Sequence, residues 1–213
     1  MARRHPNIEP DVAVVLALLA LPGVAAAEGP EAVAVGLTGG VAALGTRALD
    51  DELEAYGFAP VGSPALPHWG VRGRITFPGG IDVGVAMVSS FASRSADDNP
   101  VPTTTGWTRT GSLLGLRVHR VLRVGTQLGF ASLTHSVGST VQGGALVYLG
   151  PYVEPELKLV VLEAPQWVQL TVGLPIQLAP GRPHQQALWE EDFVRRWVVA
   201  PMVSLTTGPG WTR

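Results

Sequence analysis

No cysteine occurs anywhere in the 213 residues. Disulfides, thiolate chemistry and zinc–thiolate sites are therefore excluded, as is the lipidated cysteine that anchors a bacterial lipoprotein. Charge is scarce as well, at 15% of residues, against about a quarter in soluble domains. Lysine is all but missing, with Lys158 the only one. A net charge of −2 gives no reason to expect nucleic acid as a partner. Hydrophobic residues stand at an ordinary 46%. Past residue 27 no stretch approaches the run of about 18 apolar residues that marks a helical span. A bundle of transmembrane helices is ruled out.

What is present begins with a targeting pattern. Arg3 and Arg4 give a positive start, Val12 to Leu21 is an unbroken apolar run, and Ala25-Ala26-Ala27 offers small residues before Glu28. Positive region, apolar region and small-residue site in that order predict a secretory signal peptide over 1–27. The apolar run is too short to span a bilayer, which takes about 20 residues. The remaining 28–213 form one domain by length.

Within that domain the recurring period is two. From His68 to Phe77, Trp69, Val71, Ile75 and Phe77 share one face, with Arg72, Arg74 and Thr76 on the other. Pro78-Gly79-Gly80 makes a tight turn, after which Ile81, Val83, Val85, Met87 and Phe91 resume the apolar face opposite Asp82, Gly84, Ala86 and Ser90. That is a hairpin. A second sets Leu114, Leu116 and Val118 against Gly115, Arg117 and His119, then Val124, Leu128 and Phe130 against Arg123, Gln127 and Gly129. A third runs from Val147 to Val161, with Tyr152, Glu154, Glu156 and Lys158 on its polar face, and returns through Val168, Leu170, Val172, Leu174 and Ile176. Ala32–Leu44 and Phe193–Thr206 complete eight strands. Pro151, Pro155, Pro175 and Pro201 fall inside these segments and predict bulges or a bend, because proline removes a ladder hydrogen bond.

The connections alternate in length. Residues 46–67, 92–106, 133–140 and 179–192 are long and rich in turn formers, whereas 78–80, 119–122 and 163–166 are short. Eight strands with one long and one short end predict an all-β, antiparallel, up-and-down transmembrane barrel. Closure is required because unpaired backbone groups in hydrocarbon are too costly to leave at an open edge. In this pattern the chain resembles the small OmpA- and OmpX-type barrels of Gram-negative outer membranes, over nearly all of 28–213. The resemblance implies insertion by the barrel-assembly machinery and contact with outer-membrane lipid and lipopolysaccharide. Such barrels end their last strand on an aromatic residue. Here Gly208-Pro209-Gly210 intervenes before Trp211.

The inward face is expected to carry Arg72, Arg74, Arg117, Arg123 and Arg196 against Asp82, Glu154, Glu156 and Lys158. An eight-stranded lumen is just filled by side chains, so these charges are expected to pair across it as a structural network. His135-Ser136 falls in the connection after the fifth strand and is read as polar loop, since adjacent residues of an extended chain point apart. His68, His119 and His184 lack ligand spacing, and no metal or cofactor is expected. Asp50–Tyr56 and Asp97-Asp98-Asn99 are acidic surface stretches. Trp69, Trp107, Trp167, Trp189, Trp197 and Trp211 lie near strand ends, where an aromatic girdle is expected. The expected role is non-enzymatic: envelope structure or surface recognition through the long loops. Two alternatives remain open. One is a lipid A-modifying enzyme of the membrane; the other is a soluble periplasmic barrel with its apolar face turned inward on a ligand.

Overall fold

The computed structural model describes residues 29–45, 51, 54, 65–95, 101–138, 144–178, 184–186 and 197–213. Residues 1–27, most of Asp50–Tyr56, Asp97-Asp98-Asn99, Trp189 and Arg196 lie outside the described residues. Among the described residues, eleven strand segments form one antiparallel sheet: β1 (Ala32–Ala43), β2 (Ala65–Phe77), β3 (Ile81–Arg94), β4 (Thr103–Arg117), β5 (Leu122–Val137), β6 (Gly144–Leu162), β7 (Gln166–Gly173), β8 (Ile176–Leu178), β9 (His184–Gln186), β10 (Trp197–Val199) and β11 (Met202–Thr212). They build eight barrel strands, because β7, β8 and β9 all pair with β6 in succession, and β10 leads into β11. The sheet closes where β1 pairs with β11, from Ala32 opposite Thr212 to Ala42 opposite Met202.

The period-two pattern decides which way each side chain points. Leu37, Val71, Val85, Met87, Leu116, Leu128, Leu157, Leu159, Leu170, Val172, Val203 and Leu205 all stand exposed on the outside. Arg72, Arg74, Asp82, Arg123, Glu154, Glu156 and Lys158 are buried inside. Apolar outside and charged inside is the transmembrane arrangement, and the reverse of a soluble ligand-binding barrel. On β3 the outward apolar series runs from Ile81 to Phe91. At about 3.3 Å per residue and a tilt near 40°, that series covers about 25 Å of height, matching the apolar band of such barrels.

Several strands run further than the sequence suggests. β4 already begins at Thr103 and β5 reaches Val137, taking in residues expected to be loop. Their outward positions there are Thr108, Ser132, Thr134 and Ser136, which read as loop composition, while Trp107, Leu133, His135 and Val137 keep alternating inward. β11 continues past Thr206 and through Pro209 to Thr212, so Trp211 belongs to the last strand and points outward opposite Val33.

The short turns are built tightly. Gly79 and Gly80 both hold positive φ, 83° and 78°, where a side chain is strained. A Cβ on Gly80 would also stand 2.7 Å from the Cβ of Arg117. The prolines are accommodated in a common line across the wall. β6 runs through Pro151 and Pro155 without a break, its register shift falling instead at Val160–Leu162. The Pro155 carbonyl accepts from Leu174 N–H, that of Pro175 from Ala200 N–H, and that of Pro201 from Ala43 N–H. Pro175 and Pro201 are also where β7 gives way to β8 and β10 to β11.

Leu170 lies on the outer wall between Leu159 of β6 and Leu205 of β11. Leu170→Arg is expected to destabilise the folded barrel by about 2–4 kcal/mol near the bilayer centre. Urea unfolding in lipid vesicles checks this, and an unchanged midpoint would place that face away from hydrocarbon.

Candidate functional site

The inward residues form two chains of ion pairs among the described residues. In the first, Arg72 of β2 reaches across to β6, donating from Nη1 to Glu156 Oε1 at 2.5 Å and from Nη2 to Glu154 Oε1 at 3.4 Å. Lys158 Nζ stands 2.8 Å from Glu156 Oε2, and Arg109 Nη1 stands 3.5 Å from Glu154 Oε2. In the second, Arg123 Nη1 donates to both oxygens of Asp82 at 2.9 Å, and Thr76 Oγ1 donates to the same carboxylate at 2.7 Å. Arg123 also pairs with Glu163, which Arg74 Nη2 approaches at 3.2 Å.

Local backbone choices make this room. Gly125 faces Lys158, where a Cβ would sit 3.2 Å from Nζ; Gly173 faces Glu154, where it would sit 2.9 Å from Oε1. Side chains there would displace the charges. Burying an ion is expensive unless its partners are well placed. Here every one of these cations reaches a carboxylate within 3.5 Å.

An aromatic ring shields each chain. The Arg74 guanidinium lies over the Trp167 ring at 5.1 Å, and that of Arg109 over Trp107 at 4.4 Å. Trp107 Nε1 donates to Gln177 Oε1 at 2.8 Å. Around Trp107 the lumen is apolar, packed with Leu44, Leu66, Leu133, Val198 and Met202. This plug closes the lumen on the side of the long connections. On the other side Glu163 remains partly exposed.

Against the sequence expectations there are three corrections. Arg117 does not join the buried network: it stands a third exposed at the short-turn mouth and pairs with Glu31 at 2.9 Å. The strand ends there, at the rim. Trp107 and Trp167 are not girdle residues, because their parity on β4 and β7 turns them inward, where both are fully buried. Trp69, Trp197 and Trp211 do face outward. His135-Ser136 is part of β5 and not of a loop; His135 is buried inside with Nδ1 3.0 Å from Thr105 Oγ1. Ser136 falls on the opposite face, so the two cannot act as nucleophile and base.

Two members of the network went unread. Arg109 sits among Thr, Gly and Ser, yet extending the period of two back from Arg117 through Gly115 and Leu113 puts it on the inward face. Glu163 lies in a turn, where strand parity gives no signal.

No family model and no curated protein sequence matches the chain. Solved structures do share its fold. Ail, the attachment invasion locus protein of Yersinia pestis, is similar over 85% of this chain and 99% of its own at 7% identity, with a TM-score of 0.56. Ail in complex with the heparin analogue sucrose octasulfate is similar over 84% and 98% at 7% identity, TM-score 0.55. Neisserial surface protein A is similar over 85% and 99% at 9% identity, TM-score 0.51. Fold and lumen together define a small closed barrel of the outer-membrane type, with a filled interior.

Glu156 bridges Arg72 and Lys158, so its neutralisation strands Lys158 and leaves Arg72 only the longer contact to Glu154. Glu156→Gln is expected to destabilise the barrel by about 3–5 kcal/mol, whereas Glu31→Gln at the half-exposed rim is expected to cost no more than about 1 kcal/mol. Denaturant unfolding of both variants in vesicles checks the difference; equal effects would deny the lumen network its structural role.

Proposed function

We propose that the chain is an outer-membrane barrel, exported by the signal peptide over 1–27 and inserted from the periplasm by the barrel-assembly machinery. Its long connections face the cell exterior among lipopolysaccharide, and its short turns face the periplasm. The role is non-enzymatic: envelope structure, or recognition through the exposed connections. One observation carries this reading. The wall is apolar outside, while the lumen is packed with paired charges and plugged around Trp107. Among the described residues the interior is filled, which turns attention to the two ends of the barrel as the surfaces that act.

The connections also carry a charge preference. Residues 46–64, 95–102, 138–143 and 179–196 hold nine acidic residues against four arginines. The Ail structure with sucrose octasulfate shows a polyanion on a barrel of similar fold. Acid-rich connections repel such a ligand, so we assign a neutral or cationic surface partner in its place.

The test is electrophoretic mobility of the membrane-fraction protein in SDS, with and without boiling. A shift on boiling is expected from a closed, detergent-resistant barrel. Identical mobility, with the protein recovered in the soluble fraction, would overturn the membrane reading.

A further inference from the structure

One row of the lumen holds three buried polar side chains that have no partner among the described residues. Register sets Ser204 of β11 beside Gly40 of β1, Gly40 beside His68 of β2, and His68 beside Ser90 of β3. His68, Ser90 and Ser204 all point inward and are at most 3% exposed. Neither ring nitrogen of His68 and neither serine hydroxyl makes a hydrogen bond. The absent side chain of Gly40 lets them meet: a Cβ there would stand 2.9 Å from His68 Nε2 and 2.7 Å from Ser204 Cα. The imidazole edge thus reaches across β1 toward Ser204, with Ser90 on its other flank.

The same row continues from Ser90 to Trp107 of β4, and a cation comes with it. Arg109 stacks on the Trp107 ring at 4.4 Å, which draws its guanidinium to this level and within electrostatic reach of His68. Arg109 is fully buried and is the most loosely held cation of the first ion-pair chain. Arg72 meets Glu156 at 2.5 Å and Lys158 meets it at 2.8 Å, whereas Arg109 approaches Glu154 only to 3.5 Å. Its Nη2 donates to the Met202 sulfur at 3.2 Å, while Nε and Nη1 make no hydrogen bond. Arg72, Arg109 and Lys158 therefore share two carboxylates. The second chain, by contrast, is balanced, with Arg74 and Arg123 against Asp82 and Glu163. One buried positive charge stays unmatched, and such a charge is costly in an interior.

We propose that His68, Ser90, Ser204 and Arg109 form a lumen site for one small monovalent anion of the size and charge of chloride. Hydroxyls, a ring N–H and guanidinium N–H groups are all donors, and no carboxylate belongs to the row. One anionic charge completes the balance of the first chain. A water molecule would satisfy the serines and leave Arg109 unmatched. The apolar plug of Trp107, Leu66 and Leu133 lies at this level, so the ion is taken up as the barrel closes. The site is internal and does not depend on which connections face the cell exterior.

The test refolds the mature chain in zwitterionic micelles and measures urea unfolding as sodium chloride replaces sodium gluconate at constant ionic strength. The expected result is a midpoint that rises with chloride, with one ion taken up per barrel on folding. Ser90→Ala with Ser204→Ala should raise the chloride concentration needed by about tenfold, and Arg109→Gln should abolish the dependence. The serine pair carries the test where the arginine variant fails to fold. Crystals of the chain refolded in sodium bromide locate the ion: one anomalous peak is expected beside His68, Ser90, Ser204 and Arg109. A midpoint indifferent to chloride, a dependence unaltered in the serine variant, or no bromide at that row would overturn the site. Those outcomes in a barrel with boiling-dependent mobility leave the membrane reading standing, whereas a chain lacking that mobility overturns the reading itself.

Discussion

The whole structure depends on one requirement: a wall facing hydrocarbon must pair its own backbone polar groups. Water is not there to do it, and each unpaired group costs several kcal/mol. A sheet meets this requirement only by returning to its first strand, which β1 and β11 accomplish along nearly their full lengths. Closure at eight strands then fixes the bore, and the bore fixes what the interior can be. Identities of 7% and 9% to barrels of the same fold show how little of the particular sequence this requirement uses.

A bore this narrow forces every inward side chain to answer to the opposite wall. That is why glycines stand beside Lys158 and Glu154, and why Arg72 reaches from β2 to β6 for its partners. The lumen is filled in layers: a tryptophan–arginine stack near the short turns, paired charges through the middle, then an apolar plug toward the long connections.

Much of the wall was legible because parity is a local property. Leu114, Leu116, Val168 and Leu170 declare their face from neighbours two residues away, and Arg72, Asp82, Arg123, Glu154, Glu156 and Lys158 follow from the same rhythm. What parity cannot supply is the partner across the bore, since strand stagger decides which inward residues share a level. Nothing within β2 points Arg72 at Glu156. Trp107 and Trp167 misled for a different reason: tryptophan suits both an interface and a lumen with arginine in it, so residue type outweighed position. Arg117 had the right parity and the wrong height. The extensions of β4 and β5 were hidden by Thr and Ser on a face where loop and outer wall share one composition.

The line of prolines in β6, the seventh and the eighth barrel strands has a mechanical meaning. Each proline brings an acceptor to its row and no donor, so consecutive rows in adjacent strands lack a rung at neighbouring positions. Among the described residues above that line, β8 and β10 hold to each other by three residue pairs, and β8 and β9 hold to β6 by two and three. Pro155 stands between Glu154 and Glu156, so the line crosses the wall at the level of the charged lumen, where ion pairs from Arg72 of β2 and Arg109 of β4 tie β6 across the bore in place of the missing rungs.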